Sequence, residues 1–448
     1  MTSAGHVVVA CDKFKGSLTA AEVVAAIRAG VAAGAPGREV RSVLVADGGD
    51  GTLAAAESVG FEHVAVTVAG PTGVPVVSGY AVRDGVAVVE MADCCGIVHL
   101  PGGVKEPLTA SSRGLGEMVR AALDDCGAGP VDGSEGRSAG ESGGGVSGAG
   151  ASGFETHPRV RQIILGIGGS ASTDGGAGML AALGARFLNA EGAELPDGGG
   201  ALADLASVDL SGLHPRLADV PLTLASDVTN PLLGERGTVA IFAPQKGAGV
   251  FEQAALEAAL GHFAALVTEA MGRDDTELPG AGAAGGVGYA ALAVLGAQMR
   301  HGVEIVLDLA GFDDVLRGAS LVITGEGSLD RQTLLGKTPA GVAAAARAHG
   351  IPVVAVCGRA LLDEADAAEV AATGIERVYA LSELEPDPAV CMRDADRLLR
   401  ELASRVASEW LAEDGVAAGS SASEGSIASV GDGASAGDGA SAGEGATA

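Results

Sequence analysis

The sequence has few aromatic residues and few basic ones. Phenylalanine, tryptophan and tyrosine together make up 3% of its 448 residues, with a single tryptophan. Acidic side chains outnumber basic ones by 57 to 28, and the formal net charge is −29. Nucleic acids and anionic membranes would be repelled by this charge, and few rings are available to stack on bases. We therefore expect neither nucleic acid nor a membrane among the partners.

Long hydrophobic runs and paired cysteine motifs are also missing. Apolar runs such as residues 351–357 stop well short of the roughly 18 residues that a membrane helix requires. The N-terminal run has no basic segment before it, and we predict a first strand there rather than a signal peptide. Six cysteines occur without a CxxC motif, which is typical of a reducing, cytoplasmic compartment.

Several catalytic motifs are absent. The sequence contains no HExxH zinc motif, no cysteine–histidine metal spacing and no GxSxG elbow. The run Gly336-Lys337-Thr338 is similar to the end of a P-loop, but Arg331 occupies the position of the leading glycine. These observations argue against structural zinc, serine-hydrolase chemistry and a Walker A nucleotide site.

Glycine is abundant, at 72 residues, and part of it lies in two low-complexity segments. Residues 128–158 and 413–448 are glycine, serine and alanine with scattered acids, and large apolar residues are almost absent. Such segments bury too little surface to offset chain entropy. We predict a disordered insertion at 128–158 and a disordered tail at 413–448.

The remaining residues predict an α/β fold with two domains. Both ends of the chain alternate short Val/Ile-rich runs with alanine-rich amphipathic runs, which indicates a parallel sheet covered on both faces. Between residues 64 and 91, alternating runs separated by PTG and RDG turns favour antiparallel or mixed strands. We predict a discontinuous parallel-sheet domain from residues 1–65 and 300–412, with a mixed α/β domain at 66–299 inserted in it. Two sequential domains are the alternative.

Glycine-rich acidic loops follow several predicted strands, and lysines occur in loops of similar composition. The loops are ADGGDGT at 46–52, GIGGSASTDGGAG at 166–178, SDVTNPL at 226–232 and TGEGSLDRQTLLGKT at 324–338. Only five lysines occur, and four of them lie in loop-like segments: Lys13, Lys15, Lys246 and Lys337. Because the carboxyl ends of parallel strands gather at one edge of a sheet, we expect these loops to form a ligand site there.

These residue types suit phosphoryl transfer. Its catalysis is mainly positioning and charge neutralisation, with amides and lysines on phosphate oxygens and carboxylates on magnesium. No histidine or cysteine nucleophile is evident in the motifs. The residues alone therefore predict a magnesium-dependent kinase of a small acceptor.

The same blocks resemble the bacterial glycerate kinase family. They are DKFKGSLTA at 12–20, ADGGDGT, GIGGSASTDGGAG, SDVTNPLLGERG, APQKGA, PGAGAAGGVGYAALAVLGA and TGEGSLDRQTLLGKTPAGVA, and they run in order through the chain. The resemblance implies ATP-dependent phosphorylation of D-glycerate. It further implies two α/β domains, one flavodoxin-like and built from both chain ends, with the active site in the cleft between them.

Site roles follow as hypotheses. The predicted catalytic residues are Asp174, as the base for the attacking hydroxyl, with Lys13, Lys15 and Asp330. The predicted binding residues for substrate and nucleotide are Asp47, Gly48, Gly49, Asp50, Gly51, Gly168, Gly169, Ser170, Lys246, Gly325, Glu326, Gly327 and Lys337. Asp47 and Asp227 are the predicted Mg²⁺ ligands, and ATP is the predicted co-substrate.

Three matters stay open. The product is expected to be 2-phosphoglycerate, with 3-phosphoglycerate as the alternative. A kinase of a related hydroxy or sugar acid, or an inactive sugar-acid or nucleotide-binding regulator, would use the same loops. A homodimer is compatible with the sequence, which does not decide the oligomeric state.

Overall fold

A computed structural model describes residues 5–125, 159–334 and 336–411. The predicted insertion at 128–158 and the predicted tail at 413–448 lie outside the described residues.

Thirteen strands and fifteen α-helices occur in the described part of the chain. The strands are β1 (His6–Cys11), β2 (Val40–Leu44), β3 (Glu62–Ala69), β4 (Pro75–Arg83), β5 (Val86–Glu90), β6 (Gln162–Gly166), β7 (Arg186–Leu188), β8 (Ser207–Asp209), β9 (Leu222–Ala225), β10 (Gln298–Arg300), β11 (Ala319–Leu329), β12 (Val353–Ala360) and β13 (Ile375–Ala380). The helices are α1 (Ala20–Gly34), α2 (Thr52–Ser58), α3 (Ala92–Cys95), α4 (Arg113–Asp124), α5 (Ala177–Ala182), α6 (Thr238–Phe242), α7 (Val250–Met271), α8 (Val287–Tyr289), α9 (Gly302–Leu309), α10 (Phe312–Leu316), α11 (Arg331–Leu334), α12 (Thr338–Ala348), α13 (Ala367–Thr373), α14 (Pro388–Arg393) and α15 (Ala395–Trp410).

A five-stranded parallel sheet is built from both ends of the chain. Its order is β13-β12-β11-β1-β2, so β1 lies next to a strand that follows it by more than 300 residues. All six residues of β1 are buried. Val7 and Val9 face the core under α1 and α15, while Val8 and Ala10 face the core under α9 and α12. Burial on both faces explains why this strand is continuously apolar.

The middle of the chain forms a six-stranded mixed sheet. Its order is β10-β9-β6-β5-β4-β3, with antiparallel pairs among β3, β4 and β5 and parallel pairs from β5 to β10. A small antiparallel pair, β7 and β8, completes the strands. One parallel sheet and one mixed sheet confirm the predicted α/β fold class.

The predicted domain boundaries remain a proposal. Strand β3 begins at Glu62 and ends at Ala69, so it spans the predicted boundary between residues 65 and 66. At the other end, β10 belongs to the mixed sheet and ends at Arg300. The two sheets therefore divide the chain within a few residues of the predicted positions.

One strand is longer than the sequence pattern indicated. The apolar run at 320–325 was expected to end in a glycine-rich loop, but β11 continues to Leu329 and pairs with β12 through Ser328 and Leu329. Gly325 and Gly327 leave room for neighbouring backbones that approach closely: a β-carbon on Gly327 would lie 3.1 Å from the backbone nitrogen of Lys15.

Helix α7 is apolar and long enough to cross a membrane by length and composition, with a mean hydropathy of 1.2. One side of it packs against the protein: a third of its apolar window is buried, and Leu256, Leu260 and Phe263 lie in the core of the mixed-sheet region. The Phe263 ring meets those of Phe187 and Tyr289 edge-on.

Candidate active site

A cavity lies at the carboxyl edge of the parallel sheet, near the ends of β1 and β11. The chain leaves β1 through α1 on one face, and it leaves β11 towards α12 on the other. Loops that diverge in this way open a crevice where open α/β sheets bind ligands. The cavity has a volume of about 610 Å³, which is the size of a small-molecule site.

Eleven of the predicted site residues line this cavity. They are Lys13, Lys15, Asp47, Gly49, Asp50, Gly168, Gly169, Glu326, Gly327, Asp330 and Lys337. They come from loops more than 300 residues apart, so the sheet topology brings together what the sequence separates.

Carboxylates and one lysine crowd one end of the cavity. Lys13 Nζ lies 3.2 Å from Asp50 Oδ2 and also donates to the Asp50 carbonyl oxygen. Burial raises the pKa of Asp12 to about 6, and the charges of Asp47 and Asp50 add to the effect against the opposing charge of Lys13. Burial lowers the pKa of Lys13, but Asp12 and Asp50 outweigh it and the net shift is upward. This end holds a charged lysine among closely spaced carboxylates.

Glu326 lines the cavity and lies in the second half of β11. Its Oε1 accepts a hydrogen bond from Thr333 Oγ1, and Thr333 is fully buried. Burial raises the pKa of Glu326 to about 7, although Thr333 and the charge of Lys337 oppose the shift. Asp330 lies one turn away and accepts a hydrogen bond from the Thr333 amide at 3.1 Å. Glu326 is therefore a carboxyl group that titrates near neutral pH and faces the cavity.

Loops from the two sheets touch at Gly168 and Gly49. A β-carbon on Gly168 would overlap the Cα of Gly49 and lie 3.4 Å from the backbone nitrogen of Asp50. Similarly, a β-carbon on Gly48 would lie 2.8 Å from the Cα of Gly302. Glycine is required at these positions because the backbones themselves are in contact.

Three predicted glycines act through their backbones outside the cavity lining. Gly48 and Gly51 have positive φ angles of 84° and 107°, which turn the loop after β2. Gly325 accepts a hydrogen bond at its carbonyl from the Asp12 amide at 2.9 Å. These glycines shape the loops that present Asp12, Asp47 and Asp50.

Asp174 does not reach the cavity. It is fully buried, and its Oδ2 accepts hydrogen bonds from the amide and the hydroxyl of Ser112, both at 2.8 Å. The amides of Gly176 and Gly178 donate to the same carboxylate at 3.1 and 3.3 Å. Burial raises the pKa of Asp174 against these hydrogen bonds. Both oxygens of Asp174 accept hydrogen bonds inside the fold, and its role as general base stays a prediction.

Lys246 and Ser170 form a second buried cluster beside the cavity. Lys246 is 2% exposed, and its Nζ donates to Ser170 Oγ at 2.6 Å and to the Ser172 carbonyl oxygen. Burial lowers the pKa of Lys246 to about 7, and the negative charge of Asp174 opposes the shift. Neither Lys246 nor Ser170 lines the cavity, and their roles in binding stay predictions.

The predicted metal ligands lie close to each other, but only one of them lines the cavity. Asp47 lines the cavity, whereas Asp227 does not. Asp227 Oδ1 accepts from His301 Nδ1 at 2.9 Å and from the Gly302 amide at 3.2 Å, while its buried Oδ2 has no partner among the described residues. Burial raises the pKa of Asp227, and the charge of Asp47 adds to the shift.

A Mg²⁺ ion fits this donor set if substrate completes its coordination. Among the residues that the structure describes, no three His, Cys, Asp or Glu side chains form a ready-made metal group. Mg²⁺ is usually held by one or two carboxylates plus phosphates and water rather than by a full protein cage. Asp12 and Asp47 in the cavity, with the unpartnered oxygen of Asp227 behind them, could supply those carboxylates.

Sequence reasoning missed two acidic residues of the site. Asp12 lies within the DKFKGS motif, so its place directly after a strand was a usable signal. Glu90 is 4% exposed at the end of β5 and accepts hydrogen bonds from the amides of Gly51 and Leu53 at 3.0 and 2.8 Å. Burial raises its pKa to about 7 against these two bonds. Glu90 fixes the Asp47–Asp50 loop from behind, and no local pattern marks it.

Comparisons with known proteins agree with this site. A sequence model described as the glycerate kinase family matches residues 7–151 and 155–411. A glycerate kinase from Bacillus subtilis (strain 168) is 41% identical over 355 residues, which cover 79% of this chain and 84% of the relative. A glycerate 2-kinase from Escherichia coli (strain K12) is 40% identical, covering 84% of this chain and 90% of the relative.

The fold has a solved counterpart as well. A crystal structure described as glycerate kinase 2 from Salmonella typhimurium LT2 is 37% identical and superposes with a TM-score of 0.70. The match covers 91% of this chain and 98% of that one. Family, sequence and structure thus agree over most of the chain, and the protein belongs to the glycerate kinase family.

Proposed function

We propose that the protein transfers the γ-phosphate of ATP to a hydroxyl of D-glycerate. The observation that carries this proposal is the cavity between β1 and β11. It gathers three of the chain's five lysines, Lys13, Lys15 and Lys337, with the carboxylates of Asp12 and Asp47. The family membership supports the kinase class, and the names of the relatives support glycerate as the acceptor.

The lysines neutralise charge as the phosphoryl group moves. Their ammonium groups lie at a cavity that also contains acidic and apolar side chains, and these positive charges attract the phosphate oxygens of an anionic substrate. Asp12, Asp47 and Asp227 would hold Mg²⁺, which would supply positive charge to neutralise the phosphates. Gly168 and Gly169 line the cavity at the end that also contains Lys13.

A cavity carboxylate, rather than the enclosed Asp174, accepts the proton of the attacking hydroxyl. We assign this step to Glu326, which lines the cavity and has a pKa of about 7 because it is buried. A base with a pKa near the working pH is the most effective. The hydroxyl oxygen bonds to the γ-phosphorus, the bond to the β–γ bridging oxygen breaks, ADP leaves, and the hydroxyl proton passes to Glu326.

The product is proposed to be 2-phosphoglycerate. The name of the Escherichia coli relative, glycerate 2-kinase, supports transfer to the 2-hydroxyl. Phosphorus-coupled NMR of the product distinguishes 2-phosphoglycerate from 3-phosphoglycerate. Exclusive 3-phosphoglycerate would show that this part of the proposal is wrong.

The activity is tested by coupled ADP release with D-glycerate, L-glycerate, tartronate or no acceptor. We expect ADP release to depend on D-glycerate and on Mg²⁺. Stimulation by another hydroxy acid alone would indicate a related kinase. If no acceptor stimulates ADP release, the protein binds its ligands without this turnover and the kinase proposal is refuted.

A further inference from the structure

The cavity has two chemically different ends. The end near Gly168 and Gly169 is acidic and contains Lys13. The other end is walled by apolar side chains from the segment after β13 together with one from the loop after β1. These side chains are Phe14, Leu381, Pro386, Pro388 and Met392. Neither phosphoryl transfer nor a three-carbon hydroxy acid needs an apolar wall.

A single loop connects the two ends. In the loop after β1, Lys13 contacts Asp50 at the acidic end. Three residues later, a β-carbon on Gly16 would lie 3.2 Å from Cε of Met392. The positive φ of 84° at Gly16 turns the loop at this point. A ligand that followed this loop would have one part against Met392 and another against Lys13 and Lys15.

The apolar end is exposed rather than filled by the protein itself. Met392 is 53% exposed although Leu381 and Phe14 beside the cavity are buried. A methionine thioether is polarizable and packs well on the face or edge of an aromatic ring. Two prolines in the same wall add rigid apolar surface, and Ser382 and Arg359 provide polar groups at the same end.

We propose that this apolar end binds the adenine base of the nucleotide. The phosphates then extend along the loop towards Lys15 and Lys13, and glycerate occupies the side of Gly168 and Gly169. The inference rests on the proposed function for the nucleotide, and it assigns nucleotide binding to the parallel-sheet region. Of the two substrates, only the nucleotide has a large apolar face, and the 610 Å³ cavity exceeds what glycerate alone requires.

Photolabelling tests this placement directly. The full-length protein is incubated with an ATP analogue that carries an azide on the adenine ring. The complex is irradiated, and the labelled protein is then digested with trypsin. Cleavage after Arg377 and Arg393 releases residues 378–393, which include Leu381, Pro388 and Met392. We expect this peptide to carry the label. We also expect an excess of unmodified ATP to prevent the labelling. A protectable label on residues 162–186, or on any other peptide outside the apolar end, would overturn the inference.

A substitution at Met392 adds a kinetic test, and a folding defect would not produce its expected result. Met392→Gln keeps the side-chain length and neutral charge but places an amide against the base. We expect the KM for ATP to rise about fivefold while the KM for D-glycerate and kcat stay within twofold. Met392→Leu should recover most of the ATP affinity. Val77→Gln, at an exposed strand position outside the cavity, is the matched control. An unchanged KM for ATP in Met392→Gln contradicts the inference.

The two proposals fail in different ways. Labelling elsewhere in a protein that phosphorylates D-glycerate refutes only the placement of adenine. Labelling of residues 378–393 without acceptor-stimulated ADP release supports the placement and refutes the glycerate kinase proposal.

Discussion

At the scale of single residues, burial decides which charged groups can do chemistry. Asp174 and Glu326 are both acidic residues of glycine-rich segments, and their sequence contexts do not separate them. The structure encloses Asp174 among backbone amides and leaves Glu326 facing the cavity. Which carboxylate is enclosed depends on contacts with Ser112, sixty-two residues away, which no local pattern reveals.

We predict that Glu326→Gln lowers kcat by about 100-fold or more, because general-base removal typically has this effect. Wild-type kcat should fall as the pH drops below about 7, since Glu326 must be deprotonated to accept a proton. In Glu326→Gln this fall of kcat at acidic pH should be absent. Asp174→Asn is the comparison, with kcat expected within tenfold of wild type. A large loss in Asp174→Asn with normal folding, and little loss in Glu326→Gln, would reverse the assignment.

The buried Lys246 makes stability depend on pH. Its pKa is about 7 in the folded protein and 10.5 in its ordinary state. Unfolding between these values therefore takes up a proton, and the free energy of unfolding rises with pH through this range. The rise is at most about 1.4 kcal/mol per pH unit.

We expect Lys246→Met to flatten this rise, measured by urea unfolding at pH 7 and pH 9. Lys105→Met replaces an exposed lysine and should leave the rise unchanged. An equal rise in wild type and Lys246→Met would show that Lys246 is not the source.

At the scale of elements, the residue patterns predicted which segments form strands more accurately than they predicted where each strand ends. The apolar runs at both chain ends became β1, β2, β11, β12 and β13, because strands buried on two faces leave a clear signature. The extension of β11 to Leu329 was missed. Glycine at 325 and 327 is typical of loops, but here it permits close backbone packing within the sheet.

The contact between the loops at Gly168 and Gly49 gives a prediction at this scale. Gly168→Ala should force the two loops apart because the added carbon meets backbone atoms. We expect a lower melting temperature and a loss of kcat/KM of tenfold or more.

Gly261→Ala is the matched control, within α7 and with its nearest atom, Leu233 Cδ1, at 3.9 Å. It should raise stability by up to about 1 kcal/mol through helix propensity and leave activity unchanged. If Gly168→Ala behaved like Gly261→Ala, the contact would not organise the site.

At the scale of the whole molecule, topology assembles the site. The fold class followed from the residue patterns, since two kinds of sheet leave two kinds of periodicity in the chain. The cavity itself could be expected only in outline. Lys13 and Glu326 line the same cavity because β1 pairs with β11, and the sequence contains no local sign of that pairing register. For the same reason Glu90, in the mixed sheet, was not recognised as a support for the Asp47–Asp50 loop.

The overall acidity sharpens the role of the lysines. With a net charge of −29, the molecule repels anionic substrates except where positive charge is concentrated. The cavity concentrates three of five lysines. The lysines that we propose to contact the phosphoryl group are therefore concentrated in one cavity of an otherwise acidic molecule.

The most direct measurement is D-glycerate-dependent ADP release by Lys13→Met, with circular dichroism to verify folding and Lys105→Met as the control. Lys13 lies among Asp12, Asp47 and Asp50 at the acidic end of the cavity. Loss of one such charge-stabilising donor typically costs 10²–10³ in rate. We predict that kcat/KM falls at least about 100-fold in Lys13→Met and stays near wild type in Lys105→Met. A folded Lys13→Met variant with activity within about threefold of wild type would contradict phosphoryl transfer in this cavity.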